Sequence, residues 1–273
     1  MPTLVDKSEA VDLLRNQFGA LGFLCSELTE DQWDQPSCLP GWTVRDVLSH
    51  IIGAEAMLLG EQAPVADISG LHHMKNPIAE ANELWVQSMR DHSGEQMRAR
   101  FGDVTSRRLA ALDLMTQADF DAPSWTPAGR DETYGRFMRI RHYDCYMHEH
   151  DIRDALGESP RIDAADLRSA TDEVATGLGY IVGRRAGMPD GSRVRFDLTG
   201  PVSRTYLVSV DGRASLVESF DGEPTVRLEL PLTQFLRLTG GRHDRTPGRY
   251  GDVVISGDQQ LGEQLVANLA FTI

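Results

Sequence analysis

Basic charge is what this 273-residue chain has least of: 27 Lys and Arg stand against 41 Asp and Glu, a formal net charge of −14. A surface of that sign excludes a phosphate-backbone partner, because nucleic-acid binders need a basic footprint. It also argues against docking on an anionic membrane. Cysteine is scarce too. Cys25, Cys38 and Cys145 are too few and too scattered to form a disulfide scaffold. No apolar run approaches the length that spans a bilayer, and the polar start at residues 1–10 has no apolar core of a secretory signal. The expectation is a soluble cytoplasmic protein.

Charged residues make up 25% and hydrophobic ones 41% of the chain, an ordinary balance for a folded protein. The length suits two domains. Helical spacing of apolar residues predicts a first helix from Asp6 to about Leu28. A loop follows, LTEDQWDQPSCLPGW, packed down by Trp33 and Trp42. Thr43 and Asp46 have the form of a helix cap ahead of VRDVLSHIIGAEAMLLGE, whose Val44, Val47, Leu48, Ile51, Ile52 and Leu58 point to a core. His50 lies in that apolar run. The pair His72-His73 falls in a loop and reads as surface. Further helices are expected over 76–90 and 95–117. In the second of these, Arg98, Arg100, Arg107 and Arg108 read as a solvated face. The segment DAPSWTPAGRDET reads as a Pro-rich connection.

The stretch YGRFMRIRHYDCYMHEHDIRDALG, residues 134–157, reads as the organising helix. Arg141, Asp144, His148, Asp151 and Ala155 recur at steps of three and four, so they share a face. Asp144 and His148 stand one turn apart, the spacing at which a carboxylate and an imidazole can grip one metal ion. Such a stripe can equally be a solvated band of charge. Cys145, about 100° around from Asp144, is expected to pack as a small buried residue.

Gly157 and Pro160 stop that helix, and another is expected from Ala164 to about Ala186. Beyond Gly187 the pattern changes to strands, near 193–198, 205–210, 214–218 and 225–230, with Asp-Gly turns at 211–212 and 221–222. PLTQFLRLTGG reads as a helix, GRYGDVVISGD as a strand and 259–268 as a last helix. The fold class is α followed by α+β: a helical bundle over 1–160, then a small domain with a mostly antiparallel sheet over 161–273, including the connecting helix at about 164–186.

Three features occur together: WTVRDVLSH, HEHDIRDALG, and a tail containing LTGGR and VVISGD. Together they resemble the mycothiol-dependent maleylpyruvate isomerase family over nearly the whole chain. The resemblance implies a DinB-like metal-binding four-helix bundle followed by a sterol-carrier-like domain. It implies zinc, or another divalent metal, held by His50, Asp144 and His148, with Asp144 standing where the family's isomerase carries Glu. Asp151 matches an Asp that can anchor a ligand imidazole; a salt bridge to Arg153 or Arg141 is the competing role. Arg242, in LTGGR, matches an Arg that the tail domain lends to the site, and is the candidate catalytic residue; capping or flanking a turn is its competing role.

Three protein ligands leave a fourth position open on a tetrahedral zinc, where a bound thiol becomes a thiolate. The partners implied are a small thiol, mycothiol, and a small electrophilic substrate. Thiol transfer or exchange is the first expectation, because Asp replaces Glu. Cis–trans isomerisation by thiol addition and elimination is the alternative, and a non-catalytic small-molecule binding module is a third reading. The oligomeric state is not legible.

Overall fold

The helices of the first half begin where the sequence supplies a cap. In a computed structural model describing residues 2–71, 74, 76–242 and 251–272, the chain divides into two compact units, Met1–Arg161 and Ile162–Ile273. His72 and His73 lie outside the described residues.

The first unit runs α1 (Lys7–Leu24), α2 (Glu30–Trp33), α3 (Val44–Leu58), α4 (Pro77–Met89), α5 (Gly94–Leu114), α6 (Gln117–Asp121), β1 (Pro123–Thr126), β2 (Gly129–Thr133) and α7 (Tyr134–Leu156). Asp6, Thr29, Thr43, Asn76, Ser93, Thr116 and Thr133 each accept a backbone N–H of the first turn, so orphan donors at the helix starts are satisfied locally. Four long helices form the bundle, α1 against α7 and α5, α3 against α5 and α7, with α4 packed on α3. Leu14, Leu21, Trp33, Leu48, Ile51, Met97, Leu112 and Met138 are sealed in its core. The segment expected as a Pro-rich connection is instead a hairpin, β1 pairing antiparallel with β2. Its turn at Gly129 has φ of 146°, which lets the chain reverse despite Pro123 and Pro127.

The second unit contains α8 (Ala164–Thr176), α9 (Leu178–Tyr180), a π-helical turn Ile181–Arg185, β3 (Arg193–Thr199), β4 (Arg204–Asp211), β5 (Arg213–Val217), β6 (Val226–Pro231), α10 (Leu232–Thr239), β7 (Val254–Gly257) and α11 (Gln259–Ala267). The single helix expected over 164–186 is therefore broken, first at Gly177. A Cβ on Gly179 would come within 2.7 Å of Ala214 O, so this segment lies too close to β5 for an ordinary side chain. The sheet order is β5-β4-β3-β6-β7, antiparallel except for the parallel β3–β6 pair. Asp211-Gly212 closes the β4–β5 hairpin, whereas Asp221-Gly222 lies between β5 and β6, which do not pair. Among the described residues no helix is long and apolar enough to cross a membrane.

Two energetic features are testable. A Cβ on Gly53 of α3 would sit 2.4 Å from Trp85 Cγ. Gly53→Ala should therefore lower bundle stability by about 1–3 kcal/mol through overpacking, outweighing the ~1 kcal/mol helix-propensity gain; denaturant titration reads this. In the sheet, burial would raise the Asp197 carboxyl, but hydrogen bonds from Arg195, Arg227 and Thr205 outweigh it and bring the pKa down to about 2. Its stabilising contribution is fully present above its unfolded pKa, near 3.9, and is lost as pH falls through 2. Arg195 and Arg227 are 43% and 42% exposed, so solvent screening reduces the effect to on the order of 1 kcal/mol. Asp197→Asn should be less stable than the parent at pH 7, and the gap should close between pH 4 and pH 2.

Candidate metal centre

His50 is delivered by α3, whose start is fixed reciprocally: Thr43 N donates to Asp46 Oδ2 at 3.0 Å and Asp46 N to Thr43 Oγ1 at 3.3 Å. Val47, Leu48, Ile51 and Ile52 around it are fully buried, so packing sets the roll of the helix. The other two donors come from α7. Thr133 caps its start, and Gly157, left-handed at φ 71°, ends it. Met138, Cys145 and Ile152, seven residues apart, are fully buried in the same core, leaving Asp144 and His148 one turn apart on another face.

The structure brings His50, Asp144 and His148 together, with one ligand atom from each within 4.8 Å of the others. His50 Nε2 lies 3.1 Å from Asp144 Oδ2, and His148 Nε2 lies 3.5 Å from Asp144 Oδ1. Both imidazoles are buried, while the Asp144 side chain is 29% exposed, so the cluster opens to solvent on its carboxylate side. Trp42 walls it: its ring centre is 5.4 Å from that of His50 and 6.3 Å from that of His148. Its Nε1–H donates to Glu83 Oε2 at 3.0 Å.

The donor set fits a divalent cation. His148 Nδ1 lies 2.9 Å from Asp151 Oδ2; in the tautomer that carries the ring proton there, the Nε2 lone pair is directed at a carboxylate oxygen. Two acceptors facing each other repel unless a cation or a proton lies between them. Burial alone would raise the Asp144 carboxyl, yet His148, Arg141 and His50 hold it well below the usual range. Burial would lower His148, but Asp144 and Asp151 raise it. Burial dominates at His50 and lowers it, despite the attraction of Asp144. His50 Nδ1 is buried and has no hydrogen-bond partner among the described residues. Two imidazoles and one ionised carboxylate suit zinc and similar divalent ions.

Asp151 anchors the His148 imidazole, as one of its two expected roles required, and also accepts from Cys38 Sγ at 3.2 Å. Cys145 is fully buried, with burial pushing its thiol well above the ordinary value. Arg242 follows α10 in the second unit. Its backbone N–H donates to Arg237 O at 2.8 Å and its Nη1–H to Gly240 O at 2.6 Å, the geometry of an arginine flanking a turn. The expected solvated face of α5 is corrected at Arg108. Its side chain is 2% exposed and paired with the equally buried Glu55, because burial of the Glu55 carboxylate demands a cation. That pair, and the Trp42 wall, were missed from sequence. A carboxylate at position 55 inside an otherwise apolar helix was the available signal.

The first unit is thus a helical bundle with a solvent-accessible triad able to ligate a metal. Its sequence matches the model of the mycothiol maleylpyruvate isomerase N-terminal domain over residues 14–153, and the family's C-terminal domain model matches residues 168–264. The chain belongs to the mycothiol maleylpyruvate isomerase family. Among solved structures, it is similar to that of a mycothiol-dependent maleylpyruvate isomerase, with 17% identity, 92% of this chain and 93% of that chain covered, and a TM-score of 0.61. A variant of that enzyme with one histidine replaced by alanine matches at 16% identity, 92% and 93% coverage, and a TM-score of 0.59. At these identities the likeness is one of fold. No curated protein matches the sequence significantly.

Each of His50→Ala, Asp144→Ala and His148→Ala should abolish stoichiometric binding of one divalent metal, read by elemental analysis after reconstitution. Asp151→Asn should keep the metal but weaken its affinity by about 10- to 100-fold, read by chelator competition. Retention of full affinity in all four variants would place the metal elsewhere.

Proposed function

We propose that this chain is a mycothiol-dependent isomerase, converting a small cis-alkene conjugated to a carbonyl, of the maleylpyruvate type, into its trans isomer. The observation carrying the proposal is the convergence of two imidazoles and one ionised carboxylate, open on one side, with no fourth His, Cys, Asp or Glu ligand in the cluster among the described residues. The expectation of thiol transfer gives way here: the family description and both solved relatives support isomerisation.

His50, Asp144 and His148 would hold the metal, which when bound supplies positive charge that favours the anionic form of a thiol at neutral pH. Asp151 keeps the His148 proton on Nδ1, so that Nε2 is the donor atom. Trp42 covers the two imidazoles and limits the approach of water. Two of the chain's three thiols are buried and poor nucleophiles: Cys145 is sealed in the core and burial pushes Cys25 up to about 12, whereas Cys38 is exposed and donates to Asp151. A small thiol from outside is the nucleophile. Its sulfur forms a C–S bond to the conjugated alkene, the former double bond rotates as a single bond, and cleavage of the C–S bond restores both alkene and thiolate. Nothing is oxidised or reduced, and the thiol is regenerated.

The test follows from that balance. Zinc-reconstituted protein with mycothiol at one-hundredth of the maleylpyruvate concentration should convert all of it, with the trans product seen by NMR. Transfer would instead consume one thiol per substrate and leave a thioether visible by mass spectrometry. Stoichiometric thioether, or no thiol-dependent change at all, would overturn the isomerase reading.

A further inference from the structure

Charge buried inside a helical bundle has to be paired, and here the pairing leads to the metal centre. Glu55 on α3, five residues after His50, is fully buried. Its Oε2 accepts from Arg108 Nε of α5 at 3.1 Å, and its Oε1 from Arg141 Nε of α7 at 2.9 Å. Arg108 is held in turn by Tyr134, its Nη2–H donating to the hydroxyl at 2.6 Å. Arg141 directs Nη1–H onto Asp144 Oδ2 at 2.7 Å and Nη2–H toward Cys145 Sγ at 3.6 Å. Arg108 is 2% and Arg141 6% exposed. The line Arg108, Glu55, Arg141, Asp144 joins three helices with alternating charge.

We infer that Glu55 and Arg141 are positioning residues for the metal: Glu55 fixes the Arg141 guanidinium, which engages Asp144 Oδ2 and leaves Oδ1, the oxygen facing His148 Nε2, as the atom offered to the cation. The inference rests on the metal reading of the triad. Three observations support it. The two oxygens of Asp144 face different partners, Oδ2 toward Arg141 and His50, Oδ1 toward His148. The bridge uses two different nitrogens of one rigid plane, Nε for Glu55 and Nη1 for Asp144, which a lysine ammonium on a flexible stem does not reproduce. Finally, Asp144 is the partly exposed member of the triad. Without a fixed partner its short side chain could turn toward water or offer both oxygens. The alternating charges sum to zero, so the line orients the ligand without adding net charge to the bundle.

A salt bridge that only holds helices together predicts something different. Replacing such a buried pair by apolar residues of similar volume is often neutral. Two variants of the full chain separate the roles: the double variant Glu55→Met with Arg108→Met, which removes the anchor yet leaves Arg141 paired with Asp144, and Arg141→Lys, which keeps the charge and loses the bridge. Zinc affinity is read by competition with a chromophoric chelator, the fold by thermal unfolding of the metal-free protein, and ligand geometry by the visible absorption of bound cobalt(II). The expected result is zinc affinity at least tenfold weaker in each variant that folds, with an altered cobalt band. Affinity within twofold of the parent, with an unchanged cobalt band, in either folded variant overturns the inference. The parent and His148→Ala serve as references. Zinc uptake by the parent that is lost in His148→Ala upholds the triad itself, so positioning can fail while the site stands. No uptake by the parent overturns both.

Discussion

The whole first unit depends on one constraint: ionised groups on α7 are kept inside a bundle, and each must meet a partner there. α7 has no broad apolar face, yet most of its residues are buried. It can be so because its charges are satisfied along its length. Near its middle Arg141 bridges Glu55 and Asp144. Two turns later Glu149, fully buried, accepts from Gln17 at 2.8 Å, Arg153 at 2.8 Å and Arg161 at 3.0 Å. Leaving any one of these unpaired in a low-dielectric interior costs several kcal/mol. The pairing therefore fixes the roll and height of α7 more narrowly than apolar packing alone does, and with them the positions of Asp144 and His148.

That constraint accounts for what was legible. Capped helices and alternating strands follow local rules, so the order of helices then sheet, and the placement of most elements, could be read from residue patterns. Asp144 and His148 could be singled out because a carboxylate and an imidazole one turn apart form a pattern visible along the chain; His50, alone in an apolar run, joined them through the resemblance carried by the WTVRDVLSH segment. Asp151 was visible for the same reason, three residues from His148. Arg108 was not. Beside Arg98, Arg100 and Arg107 it has the form of a solvated stripe, and only the long-range approach of Glu55 draws it inward. Arg100 and Arg107 pair with Glu61 instead. The hairpin at 123–133 was hidden because Pro and Gly mark both loops and tight turns, and register is set by the pairing itself. The break after Thr176 falls at Gly177, and Gly177 and Gly179, poor helix formers, were the signal available; the segment beyond runs close to β5.

Asp144 is a short carboxylate, one methylene shorter than the Glu that the family resemblance implies for this position. A shorter carboxylate on the same helix reaches less far toward His50, and its reach depends more on where its second oxygen is held. In this chain that oxygen lies 2.7 Å from a guanidinium whose Nε is itself held 2.9 Å from a fully buried carboxylate on α3, the helix that carries His50. The ligand helix and the imidazole helix are thereby referenced to each other through Glu55. A displacement of α7 relative to α3 would strain that buried ion pair before it opened the triad. The geometry of the candidate centre is thus bounded by buried charges that join α3 to α7, with the Arg141 guanidinium lying between Glu55 and Asp144.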